Sequence, residues 1–279
     1  MAEITASMVK ELRDATNVSM MECKRALQEA EGDKEKAFKM LRERGMAVAA
    51  KKADRVAKDG KISAQVSPDG KTGVMIEVNC ETDFVTRNEI FQAFVTELTG
   101  KAMEADGNPA EAFKDEITAK VAEIGENIVL RKSEKYAVEA TGSVASYIHM
   151  GGKVGVLTEL GFENADTVSS GAFKELALDV CLHIAAANPA ALDRDGIPAQ
   201  MVEDEKELFA KQVEGKPENI IENILKGKLN KFYSQNCLLE QGFVKDDKIS
   251  ITDLLAAKGK EVGDTITIKR YTRWQLGEA

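Results

Sequence analysis

An internal repeat constrains this chain more than any other feature. Gly60-Lys61-Ile62-Ser63-Ala64-Gln65-Val66, then Gly73-Val74-Met75-Ile76-Glu77, is echoed by Gly142-Ser143-Val144-Ala145-Ser146-Tyr147-Ile148, then Gly155-Val156-Leu157-Thr158-Glu159, both halves displaced by 82 positions. Short apolar runs bounded by glycine predict a β-hairpin in each copy. A helical pattern follows each hairpin, Phe91 to Ala105 in the first and Ala172 to Ala187 in the second. The fold class is therefore α+β, with two repeated α+β subdomains carrying small antiparallel sheets. The first subdomain, 60–140, is completed by a helical segment, Ala110 to Ile124, and a strand over Asn127 to Arg131. The second, 141–188 and 233–279, is split by an insertion at 189–232, and the alternating tail Asp264 to Thr272 completes its sheet. Within the insertion, Met201, Val202, Leu208, Phe209 and Val213 mark one amphipathic helix, Gly215-Lys216-Pro217 a break, and Ile220, Ile221, Ile224, Leu225, Leu229 and Phe232 a second. Two such helices on a short turn fold back as an antiparallel helical hairpin.

Ahead of the repeat, residues 1–45 show three short helical patterns: Met8, Val9 and Leu12; Met20, Cys23, Ala26, Leu27 and Ala30; and Ala37, Phe38, Met40 and Leu41, closed by Gly45. Ser19-Met20-Met21-Glu22 reads as a capping box, with Val18 and Cys23 as its apolar clasp. A small three-helix domain results. Residues 46–59 lack a strong apolar stripe and form a helical or flexible tether to the first subdomain.

Charge and cysteine usage narrow the function. With 38 basic against 47 acidic residues the net charge is −9, which repels a phosphate backbone, so direct nucleic-acid binding is not expected as the main activity. The four cysteines, Cys23, Cys80, Cys181 and Cys237, lie far apart and form no metal-binding spacing with the two histidines. No metal or other cofactor is expected. No run approaches the roughly 18 apolar residues of a membrane helix, and a cytoplasmic location with no membrane contact is the expectation.

The connection after the first hairpin, Asn79-Cys80-Glu81-Thr82-Asp83-Phe84-Val85-Thr86-Arg87-Asn88-Glu89-Ile90, places an acid beside a large aromatic. Counted from Glu77 to Phe94 it spends 17 positions, against 14 from Glu159 to Phe173 in the second copy, so the fold does not demand its length. Thr86-Arg87-Asn88-Glu89 reads as a capping box of its own, clasped by Val85 and Ile90. That leaves Asp83 and Phe84 without local employment. An acid and a ring on a rigidly held loop suit insertion into a partner, the ring supplying apolar area and the carboxylate a charge or an acceptor.

The segment Glu77 to Arg87 and the N-terminal segment Leu12 to Leu27 resemble the two signature motifs of the bacterial translation elongation factor Ts family, and the resemblance extends through domain order and most of the chain. It implies a UBA-like fold for residues 1–45. It also implies a guanine nucleotide exchange factor, not itself an enzyme, whose partner is elongation factor Tu, GDP-bound and nucleotide-free. Thr82, Asp83, Phe84 and Val85 match the family's exchange loop, with Asp83 and Phe84 as the pair that enters near the GTPase's magnesium and phosphate site. Met20, Met21 and Lys24 fall on the N-terminal contact surface, and His149 matches the second-subdomain contact. The helical hairpin sits where the family can self-associate or make additional partner contact, which allows a homodimer or a 2:2 complex; as a sequence signal it is equally a solvated amphipathic hairpin. Asn17-Val18-Ser19 departs from the glycines usual at that turn.

Other readings of these residues carry their own expectations. Met20 shares a face with Cys23 and Leu27 and reads more readily as a core filler, whereas Met21 and Lys24 lie off that face. His149 in a glycine-rich turn suits a structural or a contact role; His183, in an apolar helix, reads as structural. Cys80 with Asp83 and His149 lacks any oxyanion context for thiol catalysis, and no Gly-x-x-x-x-Gly-Lys-Ser/Thr loop is present to hold a nucleotide. The alternative is a passive protein-binding adaptor or chaperone-like module without exchange activity.

Overall fold

In the computed structural model, which describes residues 4–16, 18–105, 107–212 and 218–278, three helices come first: α1 (Ala6–Thr16), α2 (Met20–Glu29) and α3 (Lys34–Lys52). Val9 and Leu12, Cys23, Ala26 and Leu27, and Ala37 and Leu41 close around one small core. Ser19 caps α2 by accepting from the Glu22 N–H, while the Glu22 carboxylate turns to Arg25 rather than back to the cap. Phe38 is 44% exposed and stands outside the buried core expected for it. Gly45 does not end α3. A mid-helix glycine costs only about 1 kcal/mol relative to alanine, and the helix continues because its second half lies against a core helix: a Cβ at Gly45 would stand 3.5 Å from Ala122. The first part of the tether is thus helix.

Strands β1 (Asp59–Val66) and β2 (Thr72–Cys80) form the first hairpin. A single turn, α4 (Asp83–Thr86), leads into α5 (Glu89–Glu104), then α6 (Pro109–Ala112) and α7 (Lys114–Ile124), broken at the buried Phe113. Gly125, at φ 85°, ends α7 in the left-handed region that glycine tolerates, and β3 (Val129–Ala137) then pairs with β2. The second copy repeats this plan with β4 (Gly142–His149), β5 (Val154–Gly161) and α8 (Gly171–Ala187). The insertion supplies α9 (Ala199–Gln212) and α10 (Glu218–Asn236), joined through Phe209, Phe232 and Tyr233. The break at Gly215-Lys216-Pro217 lies outside the described residues. A small ladder, β6 (Gly242–Phe243) with β7 (Asp246–Ser250), precedes α11 (Ile251–Val262), and β8 (Thr267–Gln275) completes the second sheet. Helix α11 is an element the sequence reading lacks.

The sheets are β1-β2-β3 and β4-β5-β8, all antiparallel. Each central strand carries a register shift, between Glu77 and Val78 in one and between Glu159 and Leu160 in the other, at equivalent positions of the repeat. One face of each sheet is covered by helices: Val74, Ile76 and Val78 meet α5, and Val156 and Leu160 meet α8 and α11. The opposite faces pack on each other through Ile62, Met75, Tyr136, Val144 and Leu157. Gly73 and its repeat mate Gly155 permit that approach, since a Cβ would stand 2.4 Å from Val144 or 2.5 Å from Ile62. The contact is reciprocal: Ile62 N–H donates to Gly152 O and Val144 N–H to Gly70 O, both at 2.8 Å, and these four residues are two repeat pairs.

Candidate partner-binding site

The connection holding Asp83 and Phe84 is no longer in the first copy than in the second. Phe91, not Phe94, is the mate of Phe173, and α5 and α8 begin 82 positions apart. The cap also differs from expectation: Asn88 caps α5 by accepting from Ile90 N–H at 2.8 Å, Ile90 is exposed, and the Thr86 hydroxyl donates to Asp83 O. A side-chain cap two residues closer to the helix leaves room for α4. Asp83 opens that turn and pairs with Arg87 at 2.8 Å, so its carboxylate has a local partner on an exposed surface. Val85 turns inward to the first subdomain's core. Phe84 turns outward, 79% exposed, where the second copy places the small and polar Ala165 and Asp166.

The turn is held by groups distant in sequence. Glu126, in the connection between α7 and β3, accepts from Glu81 N–H (2.9 Å), Thr82 N–H (3.0 Å) and the Thr82 hydroxyl (2.7 Å). In return the Asn127 N–H donates to the Glu81 carboxylate at 2.7 Å and holds it below its usual pKa, with Arg55 adding at 3.4 Å. The Asn127 side-chain amide donates to Ala53 O and Arg55 O just past the end of α3. Sequence reasoning missed Glu126 and Asn127, and no local pattern announces a pairing across 45 positions. Cys80, at the end of β2, donates to Thr82 O; burial pushes its thiol up to about 12, the reverse of an activated nucleophile.

The other candidates lie elsewhere on the molecule. Met20 and Met21, in the first turn of α2, are 53% and 69% exposed, and Lys24 is exposed one turn on. Met20 is therefore not a core filler: the core face of α2 begins at Cys23, and the first helical residue overhangs it. His149 ends β4 in the open, its Nδ1 3.0 Å from the Tyr147 hydroxyl and beside Met150, whose φ of 50° exposes that side chain. His183 is fully buried and neutral: Val244 N–H donates to Nδ1, so Nε2 carries the proton toward Gln241 Oε1 at 2.9 Å. Thr82 to Val85, the exposed side of α2 and His149 thus lie on three separate elements. No helix among the described residues is long and apolar enough to cross a membrane.

Comparison with known proteins adds a family. Residues 81–278 match the family model described as elongation factor TS. A protein named elongation factor Ts from a Nitratiruptor species is 46% identical over 287 aligned residues, spanning 99% of this chain and 93% of the relative. Relatives of the same name from Bdellovibrio bacteriovorus and from a type A strain of Clostridium botulinum are 45% and 42% identical, covering 98% and 99% of this chain and 92% and 93% of their own lengths.

Proposed function

The chain belongs to the elongation factor Ts family of translation elongation factors, and on that premise we propose that it promotes GDP release from elongation factor Tu. The observation that carries the proposal is Phe84: a large ring, 79% in water, on a turn whose backbone is held by a carboxylate. Burial of a phenylalanine is worth about 1.5–3 kcal/mol, so an exposed ring on an anchored turn is apolar area kept for a partner. Asp83, displaced from its weak surface pair with Arg87, brings negative charge toward the magnesium and phosphate site, where it opposes the nucleotide's own charges. Met20, Met21 and Lys24 supply a second contact on the GTPase and His149 a third.

A nucleotide bound at nanomolar affinity with an association rate of about 10⁶ M⁻¹s⁻¹ leaves at about 10⁻³ s⁻¹, too slow for rapid turnover. A protein that binds the nucleotide-loosened state better accelerates release, and by linkage either nucleotide displaces it afterwards. The test is the dissociation rate of a fluorescent GDP from bacterial elongation factor Tu, with this protein and with its Asp83→Ala, Phe84→Ala variant. Acceleration that the variant loses supports exchange. Binding with an unchanged release rate would leave a passive adaptor.

A further inference from the structure

We infer that Glu126 is a positioning residue for the Asp83–Phe84 turn, acting through Thr82 and setting the rate of nucleotide release rather than affinity for the partner. The inference rests on the exchange-factor reading. Both carboxylate oxygens are committed: Oε2 takes the N–H groups of Glu81 and Thr82, and Oε1 takes the Thr82 hydroxyl. These are the two residues immediately before Asp83, so the direction in which α4 leaves the sheet, and with it the direction of the Phe84 ring, is fixed from the connection into the neighbouring strand β3. Charge-assisted bonds to two successive backbone groups and a hydroxyl restrain orientation as well as distance.

The second copy supplies an internal control. Asp264, between α11 and β8, accepts from Glu163 N–H, Asn164 N–H and the Thr167 hydroxyl, at 3.0, 3.0 and 2.5 Å. Glu163 and Asn164 are the repeat mates of Glu81 and Thr82, and Asp264 stands to β8 as Glu126 stands to β3. The two backbone bonds of the clamp are therefore shared, while the hydroxyl bond comes from Thr82 in one copy and from Thr167, the mate of Val85, in the other, and only one of the two turns presents an exposed aromatic. The clamp's conformational role is shared; its consequence for a partner belongs to the first copy.

The experiment titrates each protein against elongation factor Tu loaded with fluorescent GDP, reading the plateau release rate and the half-saturating concentration. Glu126→Ala is expected to lower the plateau about tenfold, with half-saturation changed less than about twofold. Glu126→Gln, whose amide oxygen can accept both N–H groups while its NH₂ donates to the Thr82 hydroxyl, should return the plateau to within about threefold of wild type. Asp264→Ala should lower the melting temperature and leave the plateau unchanged. A purely structural role makes a different mark, because lost folded fraction raises the apparent half-saturating concentration while the plateau survives. Should Glu126→Ala fail to fold, Thr82→Val, which removes only the hydroxyl bond, is expected to lower the plateau about threefold. A wild-type plateau in Glu126→Ala, or in Thr82→Val where that variant stands in, overturns the inference, as does an equal loss in Asp264→Ala. A wild-type protein that fails to accelerate release fails the exchange reading first, and the inference with it.

Discussion

Phe84 and His183 show opposite ways in which a single side chain answers to its surroundings. With its ring in water, Phe84→Ala should change unfolding free energy by no more than about 0.5 kcal/mol, measured by urea titration, while release activity falls. His183 is buried and uncharged, and burial lowers its pKa despite the bond to Gln241. Below the ordinary value of 6.5 the unfolded chain takes the proton first, so stability present above that pH is lost as pH falls toward the lowered folded value. His183→Gln should remove that part of the slope, seen by comparing urea midpoints at about pH 8, 6.5 and 5.5, and cost about 1–3 kcal/mol at the highest of these through unpaired groups. The structural reading of His183 was legible because apolar residues surround it on both helix faces. Met20 misled, because spacing gives a residue's angle around a helix and not whether the core extends as far as its first turn.

At the scale of elements, the hairpins and their helices were legible from glycine-bounded apolar runs, and most of their order followed from the 82-residue offset. Helix α11 went unread although Ser250 and Asp253 form a reciprocal capping box at its start. The insertion moves the third strand of the second copy out of phase with the first, which hid α11 as the counterpart of α7 and Asp264 as the counterpart of Glu126. The glycine ends agree as well, Gly125 at φ 85° and Gly263 at φ 72°. Hydrogen bonds from Thr167 foremost, joined by those from Asn164, Glu163 and Thr265, lower the Asp264 pKa to about 2. Its contribution to stability is present above the ordinary value of 3.8 and lost as pH falls through about 2. Asp264→Asn should therefore melt below wild type at neutral pH, with the gap narrowing between about pH 4 and pH 2 in thermal scans.

Across the whole molecule, the contact between the two sheets was the least legible feature, because β2 and β5 are buried on both faces and their alternation is blurred. Gly155→Val should force side chains into Ile62 and Met75 and destabilise by about 1–3 kcal/mol. The sole tryptophan, Trp274, packs beside that inter-sheet core, so its fluorescence should report both subdomains separating in one urea transition with a lowered midpoint. The chain just past β8 adds to the joint, Gly277 N–H donating to the buried Glu77 carboxylate of the first subdomain. The paired bonds from Ile62 to Gly152 and from Val144 to Gly70 have the form of a two-fold homodimer interface whose protomers were joined into one chain. Joining them makes assembly independent of concentration, and it also frees the halves from having to stay identical. A true dimer would display any exposed ring twice and carry the cost in solubility twice, whereas the fused pair keeps one turn plain and lets the other specialise.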